Sequence, residues 1–206
     1  MPILADVDRA EAFFRRVEGH RYLFHLFMLL AHGAPVSIDE LAEAGGWPAT
    51  DVRADLSSHP STEWDEEGRI VGFGLTLRPT PHSFTYDGGT LYGWCASDAL
   101  GFPPALGMAG TVRSTCPVTG VAITVEVTPD RVESVDPPEA VVTVLRPDAP
   151  IADVRAEACA LGLFFASREV AAPWLEHNPD GQVNSVAYDF ELAKQVLERI
   201  GWQAKT

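Results

Sequence analysis

Apolar side chains follow two rhythms along the 206-residue chain, and the change of rhythm divides it. Over residues 9–32 they recur at helical spacing. Leu23, Phe24, Leu26, Phe27, Leu29 and Leu30 supply a broad buried face, and His32-Gly33 ends it. Ser37 followed three residues later by Glu40 has the capping-box pattern, in which each side chain accepts the other's backbone N–H. A short helix carrying Ile38, Leu41 and Ala42 is therefore expected as far as Gly45-Gly46. Pro48 suits the first turn of a further helix through Val52 and Leu56. Asp65-Glu66-Glu67-Gly68 then marks a turn, after which Ile70, Val71, Phe73, Leu75 and Leu77 read as strand residues. Three helices and a hairpin outline a winged-helix-like N-terminal domain over residues 1–80.

Pro79-Thr80-Pro81 interrupts the pattern, and the rhythm becomes that of short strands. Ser83 to Tyr86 predicts a strand, Asp87-Gly88-Gly89 a turn, and the segment from Leu91 leads into a helix. Val112 to Thr115, Ala122 to Val127, Arg131 to Val135 and Val141 to Leu145 give four more strands. Pro117 to Gly120 and Pro129-Asp130 punctuate them. Strands in succession, without alternating helices, point to an antiparallel sheet. Val154 to Cys159 enters a buried segment ending at Phe164-Phe165, and Glu169 to Leu175 and Ser185 to Ile200 read as helices. The fold class is α+β, with residues 81–206 forming the second domain.

Charge bears on what a winged helix would mean here. Fifteen Lys and Arg face 29 Asp and Glu, a formal net charge of -14 that works against binding a phosphate backbone. The helix that would enter a DNA groove, Ala49 to Leu56, carries two aspartates and a single arginine. The module is therefore expected to pack on the rest of the chain, with no nucleic-acid partner. Met1 to Asp8 has neither the basic segment nor the apolar run of a secretory signal. The longest apolar stretch, Leu23 to Ala31, is broken by His25 and is too short to span a bilayer. A cytoplasmic protein without membrane partners is expected. Three widely spaced cysteines then read as reduced thiols, not as a disulfide framework.

Those thiols carry the candidate chemistry. Cys95 and Asp98 stand three residues apart, and on a helix beginning near Trp94 they share one surface, a thiol and a carboxyl placed as nucleophile and proton carrier. A position near a helix start predicts a lowered pKa for Cys95. Cys159 lies far along the chain beside apolar residues, and Cys116 sits in the turn-rich run Thr115 to Gly120. A buried cysteine is by default a small hydrophobe, and the spacing lacks the close pairs of structural zinc modules. The six histidines are scattered and enter no site. On the residues alone, the chain is an α+β protein whose thiols are open to either a structural or a reactive role.

Longer motifs are more specific. The segment STEWDEEGRIVGFGLTLRPTPHSFTYDGGTLYGWCASDALGF (Ser61 to Phe102) resembles the organomercurial (alkylmercury) lyase family, as do RSTCPVTG (Arg113 to Gly120) and ADVRAEACALGLFF (Ala152 to Phe165). The resemblance implies that Cys95, Asp98 and Cys159 are the catalytic residues and the ligands of substrate and product mercury, and that Cys116 is structural. It implies protonolysis of a carbon–mercury bond, releasing a hydrocarbon and Hg(II). No tightly bound cofactor is implied; free low-molecular-weight thiols act as co-reactants, and a mercuric reductase is a possible next partner. One departure stands out: the family often carries a second cysteine and then a histidine-containing run after the position of Cys159, where this chain has Ala160 and Leu161-Gly162-Leu163. That leaves room for a relative acting on another organometallic or thiol-reactive small molecule, or for a non-catalytic soft-metal binder.

Overall fold

A computed structural model describes residues 4–16, 20–146 and 152–202. The helical run expected over residues 9–32 forms two helices, α1 (Leu4–Arg16) and α2 (His20–Leu30), and residues 17–19 between them lie outside the described residues. Ser37 caps α3 (Ile38–Gly45) as its spacing predicts. Its Oγ accepts the Glu40 N–H at 3.2 Å, and the Glu40 carboxylate accepts the Ser37 N–H at 2.8 Å. Gly46 ends this helix in the left-handed region, at φ 69°. Pro48 sits just before the first turn, as the N-cap of α4 (Ala49–Ser58). Leu26 and Leu30 of α2, Leu41 of α3, and Val52 and Leu56 of α4 are fully buried together, which makes the helical part a packed module.

The apolar run from Ile70 to Leu77 is not one strand. Gly74, at φ 75°, reverses the chain, so β2 (Ile70–Phe73) turns back into β3 (Leu75–Thr76) and the two pair antiparallel. On its other edge β2 pairs with β1 (Glu63–Trp64). From β3 the sheet continues into the core through β5 (Gly89–Gly93), β4 (His82–Tyr86), β6 (Gly110–Thr115), β7 (Ala122–Val127) and β8 (Val132–Asp136). The order is β1-β2-β3-β5-β4-β6-β7-β8, antiparallel throughout. Register places Phe84 opposite both Leu91 and Val112, and Val112 opposite Val125. All four lie on one buried face, as period-two alternation requires.

The strand expected over residues 141–145 does not join that sheet. β9 (Val141–Val144) has every residue buried, the pattern of a strand covered on both faces, and is the middle strand of a second sheet between β10 (Phe164–Phe165) and β11 (Gln182–Ser185). The remaining helices are α5 (Ala96–Leu106), α6 (Val154–Glu157), α7 (Arg168–His177) and α8 (Val186–Ile200). Apolar on nearly all sides, α5 runs through the middle, against α8 and against β4, β5 and β9. On the outside of α8 lies α1, with Val7 and Ala10 meeting Leu192 and Val196. The result is an α+β fold, a helix-turn-helix-like module packed on a core of antiparallel sheets and flanking helices. Among the described residues no helix is long and apolar enough to cross a membrane.

Candidate active site

Cys95, Asp98 and Cys159 come together. The two sulfurs and a carboxylate oxygen all lie within 4.8 Å of one another, and among the described residues this is the only cluster of three or more potential metal ligands. Each partner has a local reason for its place.

The spacing of Cys95 and Asp98 works differently from a shared helical face. Cys95 is the N-cap of α5, with extended backbone at φ -136° and ψ 171°, and Asp98 is the third residue of the helix. The sulfur accepts the Asp98 N–H at 3.3 Å, and the carboxylate accepts the Cys95 N–H at 3.0 Å. This is a capping box in which a thiol stands where serine or threonine usually does. Gly93, the last residue of β5, permits the close return of the helix: a Cβ there would lie 2.9 Å from the Asp98 Cβ.

Cys159 lies in a single 3-10 turn, Cys159–Leu161. Thr143, fully buried on β9, fixes the end of that turn by accepting the Leu163 N–H at 3.0 Å and donating its hydroxyl to the Leu161 carbonyl at 2.9 Å. The two halves of the site meet at Gly162, whose carbonyl accepts the Ala96 N–H at 2.8 Å. A Cβ on Gly162 would stand 2.8 Å from the Cys95 Cβ, so glycine is what allows this approach. On the other side, α6 is tied to the helix-turn-helix-like module. Ser61 donates to Asp153 at 2.9 Å, Arg155 pairs with buried Glu63, and Thr76 donates to the same carboxylate. The Arg155 guanidinium also lies 5.0 Å from the ring centre of Trp94, the neighbour of Cys95.

Burial sets the protonation of the site. Asp98 is pushed up to about 6, because loss of solvation outweighs the hydrogen bonds it accepts from Cys95, and the charge of Asp189 adds to the effect. Asp189 is itself buried, accepting from Ser97 at 2.6 Å and from Asn184 at 3.1 Å. The lowered pKa expected for Cys95 is not found. Its thiol is pushed well above the ordinary value by a hydrogen bond with Cys159, by burial and by the neighbouring carboxylate, which together outweigh the helix start. Cys95 therefore holds its proton more tightly than an ordinary thiol, and the Asp98 carboxylate lies beside it.

All three groups face a cavity of about 240 Å³ whose wall is largely apolar, with aliphatic side chains interleaved with Phe14, Phe27, Phe73, Trp94, Phe102 and Trp202. Such a space accepts an apolar group next to two soft sulfur ligands and one proton carrier. Cys116 is buried at the far end of β6, in the loop closed by the Gly120 N–H to Cys116 carbonyl bond of 2.9 Å, and is not in the cluster. Ala160 is exposed. Sequence reasoning does not reach Thr143, Asp189 or the Glu63–Arg155 pair, which carry no local signal. Gly162 stands out in the sequence only as part of a departure from a family pattern.

A helix-turn-helix-like module on an antiparallel α+β core, with two thiols and a carboxyl clustered on an apolar cavity, defines a class of α+β proteins with a candidate soft-metal site. Family comparison narrows it. Residues 75–198 match the family described as alkylmercury lyase, and residues 19–74 match the helix-turn-helix domain of alkylmercury lyase. An alkylmercury lyase from Streptomyces lividans is 43% identical over 175 residues, 85% of this chain and 81% of the relative. Another from Bacillus cereus is 44% identical over 178 residues, 86% and 81% of the two chains. The crystal structure of the mercury-bound form of MerB2 shares the fold at a TM-score of 0.75 and 22% identity, covering 94% of this chain and 97% of its own. The chain belongs to the alkylmercury lyase family.

Proposed function

We propose that this protein is an organomercurial lyase that cleaves carbon–mercury bonds by protonolysis, using Cys95, Cys159 and Asp98. The observation that carries the reading is the meeting of two sulfurs and one carboxylate within 4.8 Å on the wall of an apolar cavity. Mercury is soft and thiolates are its natural protein ligands, while the organic group it carries suits the apolar wall.

The proton inventory suggests an order of events. Cys159 is the more accessible of the two cysteines, so it attacks first. It forms a sulfur–mercury bond and displaces the thiol that delivered the organomercurial, which leaves with the Cys159 proton. Cys95 then binds the same mercury and passes its proton to Asp98. Two sulfur donors push electron density toward the mercury-bound carbon. Asp98 returns the proton to that carbon as the carbon–mercury bond breaks. Hydrocarbon departs, mercuric ion stays between two thiolates, and Asp98 is again a carboxylate. Two external thiols then take the ion and return protons to Cys95 and Cys159.

The test is direct product detection. Phenylmercury or methylmercury with excess thiol should release benzene or methane with repeated turnover. Mercury captured one-for-one with no hydrocarbon would replace the enzyme with a soft-metal binder. Inactivity on both compounds, together with covalent labelling of Cys95 or Cys159 by other electrophiles, would favour a relative with a different thiol-reactive substrate.

A further inference from the structure

Arg146 lies two residues past β9 and contributes to the same cavity wall as Cys95, Asp98 and Cys159. It is a cation in a largely aromatic and aliphatic enclosure. Among the described residues no hydrogen bond or ion pair engages its guanidinium; the charges of Asp189 and Asp6 favour the cation and that of Arg9 opposes it. Asp189 is already occupied, accepting from Ser97 and Asn184. Asp98 is likewise committed to the N–H of Cys95. A guanidinium does not shed its proton, so a half-buried one that lines an apolar cavity and is unengaged among the described residues is a place for an anion. Its planar fork of donors matches a carboxylate in two parallel hydrogen bonds. The setting adds to this: a chain of net charge -14 repels anions in general, and Arg146 brings a positive charge to the wall of the reaction cavity, between it and a small pocket lined by Arg9, Asp180 and Gln182.

We propose that Arg146 binds a carboxylate that enters the cavity with the mercury and so selects among substrates. The proposal rests on the lyase reading for its biological meaning, but not for its test. The carboxylate can arrive on the organic group or on the thiol that carries the metal, and three pairings separate these sources: phenylmercury with 2-mercaptoethanol, 4-carboxyphenylmercury with 2-mercaptoethanol, and phenylmercury with mercaptoacetate. Arg146→Gln should lower kcat/KM for a carboxylated pairing at least tenfold relative to the neutral pairing. The change should fall mainly in KM, with Arg146→Lys partly restoring the preference. Whichever carboxylated pairing shows the loss identifies the source. An equal change for all three pairings overturns the proposal and gives Arg146 a general electrostatic role at the thiols.

A second measurement needs no carbon–mercury cleavage. Benzoate should protect Cys95 and Cys159 from alkylation by iodoacetamide in the parent protein at concentrations at least tenfold lower than benzyl alcohol does. Arg146→Gln should bring the two to parity. Parity already in the parent overturns the carboxylate site, even if the variant cannot be folded. Selective benzoate protection in a protein that never releases benzene would keep the site and remove the lyase reading.

Discussion

Asp98 is the residue on which the chemistry is most exposed to test. Replacing it with serine leaves both sulfurs but removes the proton carrier, so Asp98→Ser should lose most turnover, on the order of a hundredfold or more, while still binding mercury. Cys95→Ala and Cys159→Ala should each abolish turnover, and full activity in either would remove that thiol from the mechanism. In the proposed route Cys95 passes its proton to an ionised Asp98, so kcat/KM should fall as pH drops below about 6, where Asp98 holds a proton of its own. A flat profile between pH 5 and 7 would refute that proton route. The same carboxyl costs stability. Its folded pKa of about 6 exceeds the ordinary 3.8, so its contribution is fully present below about pH 4 and is lost as pH rises through 6. Asp98→Asn cannot ionise and can still accept the Cys95 N–H. It should therefore be more stable than the parent at pH 7, by on the order of 2–3 kcal/mol in chemical denaturation, with no gain at pH 4.

Secondary-structure elements carry the two halves of the site, and they differ in how well sequence reveals them. The Ser37–Glu40 cap, the helices over 49–58 and 186–200, and the strands around Phe84, Val112 and Val125 obey local patterns of period and punctuation. Local pattern does not reveal the partner of each strand. Val141–Val144 looks like one more member of the large sheet until its burial on both faces places it in the smaller one, and β11 is too short and polar to stand out. The Cys95–Asp98 spacing is visible, but its geometry depends on where α5 begins, one residue after the thiol. Cys159 reaches the pair through Thr143 and Gly162, contacts between distant segments that no single stretch encodes. At this scale the decisive substitution is Gly162→Ala. Its backbone, at φ -88°, tolerates alanine, so the added methyl acts by pressing on Cys95, with the Cys159 carbonyl the next atom it meets. Turnover should fall about tenfold or more with the circular dichroism spectrum unchanged, since small displacements of reacting groups are costly. Unchanged turnover would mean that the two thiols need not approach this closely.

At the scale of the whole molecule, the helix-turn-helix-like module and the catalytic core share one apolar interior, in which Leu26, Leu41 and Leu56 belong to the same cluster as Phe84, Leu100 and Val142. They also share one sheet, because β3 pairs with β2 on one side and β5 on the other. Thermal unfolding is accordingly expected as a single cooperative transition by both tryptophan fluorescence and far-ultraviolet circular dichroism. Two separated transitions would show that the module folds on its own. The link from Glu63 and Thr76 through Arg155 to the loop of Cys159 extends this sharing to the reaction itself. A random library selected for lost activity should therefore yield inactive but well-expressed members altered at the wing as well as at the sulfurs. In such a map of damage, the region that looks like a DNA reader would behave as part of the enzyme.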